Sequence, residues 1–461
     1  MNDPIVQYFR CPARFVQFDV KGNLSPRSGY FRLGRDTICF GKLLSGRTPS
    51  PSPVGELSDA LDDTDVSNGT THLPFDVAQV ADSLRNEAYA PGLFDENHGL
   101  RPLFRKMYYG LRPFLPVGVR KYFQQLNLRG WDRRPFPQWP VDCSVDSLFE
   151  QLMLQALRSQ GLRRIPFIWF WPDGASGCAI MTHDVETRTG RDFCSTLMDI
   201  NDAHGIKASF QIVPECRYEV PQAYLNSIRE RGFEVNVQDL NHDGRLYWND
   251  DEFRRRAAKI NQFGREWGAL GFRAAVLYRQ QKWFDALQFS YDMSVPNVAH
   301  LDPQRGGCCT VMPYFIGDIL ELPVTATQDY MIFHLLHDYS TSLWKQQTEL
   351  ILEKHGLANF IVHPDYITGA EERAVYESLL RYLTELRQER NLWMPLPSEV
   401  NDWWRQRAEM ELVEYAGEWR IEGRGKERAR LAYATEENGK LVLTLDHETA
   451  DRMAISKSNG K

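Results

Sequence analysis

Cys178-Ala179-Ile180-Met181-Thr182 runs directly into His183-Asp184-Val185-Glu186. Five apolar or small residues in a row suit a strand buried on both faces, and the groups that follow can exchange protons or hold a cation. The same arrangement recurs along the chain. Phe233-Glu234-Val235-Asn236-Val237 leads into Gln238-Asp239-Leu240-Asn241-His242-Asp243-Gly244, Gly271-Phe272 into Arg273, and Phe289-Ser290-Tyr291 into Asp292. Ala358-Asn359-Phe360-Ile361-Val362 leads into His363-Pro364-Asp365. Polar groups collecting at the C-terminal ends of successive strands point to an enzyme built on a β/α barrel.

Working outward, strand-like segments fall at 165–171, 178–184, 207–213, 233–238, 271–277, 319–324 and 358–363. Helical segments fall between them at 190–204, 220–231, 250–267, 281–288 and 343–355, with another at 370–390. Such alternation predicts parallel strands with crossover helices, and about seven strands suit a closed or nearly closed barrel. No G-x-G-x-x-G follows the first strand, which removes the usual dinucleotide fingerprint. The barrel is expected over 163–405, within an α/β chain that also carries an N-terminal mixed α+β region and a small C-terminal β add-on. The expected divisions are a small β region at 1–43, a flexible Ser/Asp/Pro/Gly-rich linker at 44–75, a mainly helical region at 76–162, and a β-hairpin extension at 406–461. Within the helical region, the basic-aromatic stretch from Leu103 to Leu126 reads as packed helices whose Arg and Lys stems snorkel, in preference to a membrane or partner contact.

Composition excludes several classes. The 461 residues are 43% hydrophobic and 25% charged, enough for a large core. A formal charge of −7 argues against a nucleic-acid partner. No apolar run approaches the roughly 18 residues of a membrane span. Met1-Asn2-Asp3-Pro4 lacks the basic and apolar pattern of a secretory signal. The eight cysteines show no zinc-like spacing and read as free thiols, so a cytoplasmic location is expected.

The strand-end residues each allow a structural reading. Asp184 and Glu186 could cap the helix that begins near Arg191; alternatively one is a general base while the other holds a cation. Gln238 and His242 are spaced i, i+4 in an unusually polar strand exit. Arg273 is either an ion-pair partner or a carboxylate holder. His363 reads as a proton donor when taken with the others.

In that order, the acidic strand end, the His-bearing loop, Gly-Phe-Arg, Asp and apolar-apolar-His resemble the polysaccharide deacetylases, the NodB-homology carbohydrate esterases. The resemblance covers about residues 165–400, roughly half of the chain. It implies a distorted (β/α)7 barrel that hydrolyses the acetamide of an N-acetylated sugar or polysaccharide in glycan biosynthesis, using a divalent metal, with zinc expected. It implies that Asp184 is the base, Arg273 its orienting partner and His363 the acid. Glu186 and His242 would be metal ligands. Trp283 and Asp292 fall near later aromatic and acidic motifs, and Asp243 and Asp365 join them as candidate substrate contacts. Gln238 stands where the family has its first metal histidine. A glutamine oxygen is a weaker ligand than imidazole, so Gln238, or Asp239 beside it, implies a metal held loosely or lost. A one-residue shift in the first motif would instead make His183 the base and Asp184 a ligand. Two other readings stay open: a glycan-binding module without activity, and a metal-independent hydrolase of another linear amide. The oligomeric state is not legible.

Overall fold

The computed structural model describes residues 4–67, 69–90 and 128–446. The basic-aromatic stretch 103–126 lies outside them. The chain divides into two compact units, one of Met1–Tyr89, Cys143–Ser176 and Asp402–Lys461, the other of Ala90–Asp142 and Gly177–Asn401.

The second unit holds the barrel. Seven parallel strands follow the chain: β1 (Gly177–Val185), β2 (Ala208–Ile212), β3 (Glu234–Gln238), β4 (Gly271–Arg273), β5 (Tyr291–Asp292), β6 (Ile319–Glu321) and β7 (Leu357–Ile361). They lie side by side in the order β7-β1-β2-β3-β4-β5-β6, parallel to one another, in a nine-stranded sheet that also takes Tyr314–Ile316 antiparallel beside β6 and Leu392–Trp393 parallel beside β1. All nine residues of β1 are buried, as a strand covered on both faces requires. Helices α1 (Arg188–Ala203), α2 (Gln222–Arg229), α3 (Asp250–Trp267) and α4 (Ser342–Glu353) make crossovers, and α5 (Ala370–Glu389) follows β7. The stretch expected as a helix at 281–288 is a 3-10 segment, Gln281–Ala286.

Local chemistry sets where these helices start and stop. Thr187 caps α1 by accepting from the Gly190 amide at 3.0 Å. Neither Asp184 nor Glu186 does so. Asn249 caps α3, whose first turn carries Asp250, Asp251 and Glu252 against the positive end of the helix dipole, and Gly268 ends it in the left-handed region. In β4, a Cβ on Gly271 would meet the Tyr291 ring at 2.3 Å, so glycine is what lets Tyr291 pack across the strand.

The barrel closes without a ladder between β6 and β7. One backbone bond, from the Ala326 amide to the Asn359 carbonyl at 3.2 Å, and several side chains do the joining instead. The Thr325 hydroxyl donates to the Leu357 carbonyl at 2.6 Å and accepts from the Asn359 amide at 2.8 Å. The Asn359 amide group donates to the Leu322 carbonyl at 3.0 Å. Two expectations change here. Residues 165–171 were expected as the first barrel strand, but Arg164–Ile168 pairs antiparallel with Leu431–Glu437 in the other unit. The seventh parallel strand is β5, only two residues long and invisible to a periodicity criterion.

The first unit contains the hairpin Leu24–Leu33/Thr37–Leu44, the helices Val77–Arg85 and Ser144–Ser159, and a three-stranded sheet of Arg164–Ile168, Leu431–Glu437 and Lys440–Leu445. The region read as a flexible linker is ordered. Asp65–Ser67 and Thr70–Leu73 form a sheet with Phe18–Val20, and Thr71 and Leu73 are buried on one face. Four residues of alternation are too few to stand out among Ser, Asp and Pro. None of the eight cysteines is in a disulfide; Cys216 is exposed and Cys143 part-buried. Among the described residues no helix is long and apolar enough to cross a membrane.

The seam between β6 and β7 makes a direct prediction. Thr325→Val keeps the shape but leaves a buried carbonyl and amide without their partner. Denaturant unfolding should show a loss of about 2 kcal/mol with an unchanged slope. Unaltered stability would mean that the hydroxyl does not close the barrel.

Candidate active site

The polar ends of the parallel strands meet at the C-terminal mouth. Arg273, fully buried at the end of β4, donates from Nη1 to Asp184 Oδ1 at 2.6 Å and to the Thr182 hydroxyl at 2.8 Å. Its Nε donates to the Met293 carbonyl at 3.0 Å, which fixes the plane of the guanidinium. Burial raises the Asp184 pKa; Arg273 and His363 act against this, and Glu186 adds to it, for a net rise.

Glu186 sits opposite. Its Oε1 lies 2.6 Å from His242 Nε2 and 3.5 Å from His363 Nε2. Burial alone would raise the Glu186 pKa, but the two imidazoles outweigh it and hold the carboxyl well below its ordinary value. Gln238 bridges the two acids: its Nε2 donates to Asp184 Oδ2 at 3.2 Å and to Glu186 Oε1 at 3.0 Å. Arg217, from the loop after β2, donates to the His242 carbonyl at 2.5 Å and faces His242 Nδ1 at 3.1 Å. Burial would lower the His242 pKa, but Glu186 outweighs it and raises it above the ordinary value. His242 adopts φ 55°, a left-handed backbone that a non-glycine residue holds only when its surroundings fix it.

His363 is backed by a carboxylate. Asp329, fully buried, accepts from His363 Nδ1 at 2.6 Å and from the His363 backbone amide at 2.7 Å. Burial would lower the His363 pKa, but Asp329 and Glu186 raise it well above the ordinary value. His183 points elsewhere. It lies among the Val362 carbonyl at 3.0 Å, the Asn201 amide at 2.9 Å and Tyr376, and burial lowers its pKa to about 3. A neutral histidine with both ring nitrogens engaged is a packing group, which leaves Asp184 as the acid that faces the mouth.

The remaining candidates divide. Trp283 stacks on Tyr247 at 6.1 Å and stays half-buried. Asp243 is engaged by Arg256 at 2.7 and 2.9 Å and by the Arg245 amide at 2.8 Å, which makes it a structural group. Asp365 accepts from the Thr187 hydroxyl at 3.0 Å, and its other oxygen is buried without a partner. Asp239 accepts from the Leu240 amide at 2.6 Å. Asp292 is buried beside Glu321, its register partner on β6, and accepts from the Ser294 amide and hydroxyl at 2.8 and 3.0 Å. Burial lifts the Asp292 carboxyl to about 6, and burial with Asp292 lifts Glu321 well above its ordinary value. Sequence reasoning missed Asp329, Glu321 and Arg217. Asp329 sits in Thr327-Gln328-Asp329-Tyr330, another polar strand exit, but eight residues beyond the end of β6.

Carboxylate, imidazole and amide oxygen are ligand types that divalent cations accept. Among the described residues, ligating atoms of Asp184, Glu186 and His363 lie within 4.8 Å of one another. Gln238 Oε1 is buried and has no hydrogen-bond partner, so turning the amide over would present an oxygen to the same space.

No protein-family model matches this sequence, and no curated protein does either. Solved structures do. One is named as a polysaccharide deacetylase from Mycobacterium smegmatis, 18% identical, covering 54% of this chain and 98% of its own, with a TM-score of 0.44. Puue allantoinase is 12% identical over 51% of this chain and 92% of its own, with a TM-score of 0.39. The peptidoglycan deacetylase PdaC from Bacillus subtilis is 10% identical over 51% of this chain and 95% of its own, with a TM-score of 0.34. Polysaccharide deacetylases thus stand among the solved structures that this chain resembles, and the resemblance covers about half of it.

Proposed function

We propose that the barrel hydrolyses the acetamide of an N-acetylated sugar or polysaccharide with the help of a divalent metal. The observation that carries this reading is the convergence of Asp184, Glu186, Gln238, His242, Arg273 and His363, scattered over 180 positions of sequence, on one mouth. Glu186 and His242 would hold the ion, with the Gln238 oxygen once its amide turns. When bound, such an ion polarises a carbonyl and lowers the pKa of water.

The residues of this chain do the rest. Asp184, its pKa raised by burial, is suited to take a proton from the attacking water, and Arg273 holds its other oxygen in place. His363, kept charged by Asp329, is suited to give a proton to the departing amine. An acetamide has a poor electrophile and a basic leaving group, so both transfers matter. The two carboxyls are displaced in opposite directions, Asp184 up and Glu186 down, the pattern expected when neighbouring acids take different roles. One feature favours a second reading, a glycan-binding module without activity: the Gln238 amide satisfies both carboxylates without any ion.

Two experiments separate these readings. Asp184→Asn keeps size and hydrogen bonding but removes the proton acceptor, so acetate release from N-acetylated glycans should fall by about two to four decades while glycan binding is retained. Absence of acetate release by the parent protein across such glycans would favour the binding module. For the metal, Gln238→His should tighten zinc binding to the metal-free protein by about tenfold or more in calorimetry. Equal affinities would show that position 238 does not ligate. If His363 is the acid, Asp329→Asn removes the carboxylate that raises its pKa. The alkaline limb of the rate profile should then move to lower pH.

A further inference from the structure

β2 brings no candidate residue to the mouth, yet Glu186 and His242 meet from the exits of the strands on either side of it, β1 and β3. The loop that follows β2, Val213-Pro214-Glu215-Cys216-Arg217-Tyr218, is tied to both exits. At β1 the tie is a phenol. The Tyr218 hydroxyl accepts from the Val213 amide at 3.1 Å and donates to the Val185 carbonyl. Val185 is the last residue of β1 and lies between Asp184 and Glu186, while Val213 directly follows the last residue of β2. The hydroxyl is thus set between the two strands where they part. Burial raises the Tyr218 pKa, so the group keeps its proton and remains a donor.

At β3 the tie is a guanidinium. The Glu215 amide donates to the Leu240 carbonyl at 2.9 Å. Arg217 then takes the next two carbonyls in turn, Asn241 from Nε at 3.3 Å and His242 from Nη2 at 2.5 Å. Three consecutive carbonyls, 240–242, are therefore met from one loop. Asp239 and His242, which bracket this stretch, hold left-handed backbones at φ 50° and 55°. Non-glycine residues keep such a conformation only where their surroundings fix it. The donors of arginine lie in one rigid plane and can meet two neighbouring carbonyls together, whereas a lysine ammonium is a single point on a flexible stem.

We propose that Arg217 and Tyr218 are positioning residues, which together set the separation of Glu186 and His242 and with it the affinity of the mouth for a divalent ion. The inference rests on the hydrolase reading for the use made of that ion. Neither side chain acts on the substrate; each acts through the residue it holds. Tyr218 fixes the backbone that carries Asp184 and Glu186, and Arg217 fixes the turn that brings the His242 ring to 2.6 Å from Glu186. Replacing outer groups of this kind changes metal affinity by about 10–100-fold. The charge of Arg217 also opposes any cation beside His242, so positioning and repulsion predict opposite signs when it is removed.

To test this, the full chain stripped of metal is titrated with zinc in a calorimeter, and amide hydrogen exchange is followed at residues 185–187 and 240–243. Tyr218→Phe should weaken zinc binding by about tenfold or more and quicken exchange at 185–187. Arg217→Lys, which keeps the charge, should do the same to binding and quicken exchange at 240–243. Arg217→Gln should weaken binding as well; tighter binding would make Arg217 an electrostatic brake and overturn its positioning role. In acetate release, Tyr218→Phe and Arg217→Lys should lower kcat with KM nearly unchanged. Parent-level zinc affinity in both of these variants would overturn the proposal, whether or not exchange quickens. Thermal unfolding separates lost position from lost fold; should Tyr218→Phe fail to fold, Arg217→Lys alone decides. Zinc binding without acetate release removes the hydrolase reading and leaves the affinity test intact. If the parent neither binds zinc nor releases acetate, exchange decides: local quickening keeps the two residues as the clamps of Glu186 and His242, and unchanged exchange removes them.

Discussion

Arg273 ties the barrel together at the level where chemistry can happen. One guanidinium on β4 reaches Asp184 and Thr182 on β1 and the Met293 carbonyl just past β5, while the Thr182 hydroxyl passes the connection to Phe360 on β7. A buried arginine is tolerable only when its charge is met, and removing one partner of such a pair costs about 3–5 kcal/mol. The same contact therefore fixes strand positions and orients the carboxylate. The register agrees: Arg273 lies level with Gln238 on β3, so the residue that holds Asp184 and the residue that bridges it to Glu186 share one layer.

The site then divides its charge by geometry. Glu186 lies between two histidines and stays ionised, whereas Asp184, with one cation and an amide, is lifted by burial. The histidines differ through the partner on their far nitrogen. His363 has a carboxylate there and His242 has an arginine. Environment thus raises both imidazoles, His363 through Asp329 and Glu186 and His242 through Glu186.

Much of this was legible in sequence wherever an apolar run ended in a polar residue. Asp184, Gln238, Arg273 and His363 occupy strand ends because strand length and burial leave their mark on composition. β5 was harder, since two residues carry no period and only the Asp292 exit betrayed it. Arg164–Ile168 read as a barrel strand because a buried edge of any sheet is apolar; its true partner, Leu431–Glu437, lies more than 250 positions away. Asp329 and Arg217 escaped notice because loops carry them, and what distinguishes a loop aspartate that backs a histidine is distance, which sequence does not encode. His183 and Asp184 illustrate the limit of a motif: adjacent residues on a strand face opposite sides, and only the register settles which one faces inward.

The Asp292–Glu321 pair has a thermodynamic consequence remote from the mouth. Two carboxyls level with each other on β5 and β6, both lifted by burial, bind protons in the folded barrel that the unfolded chain would release near neutrality. Their contribution to stability is complete at pH values below the ordinary carboxyl range and is lost as pH rises through the elevated folded values. Unfolding is then coupled to proton release. These two positions act as an alkaline liability inside the barrel wall, opposite in sign to salt-bridged surface acids such as Glu422 and Glu436, whose support is lost on acidification.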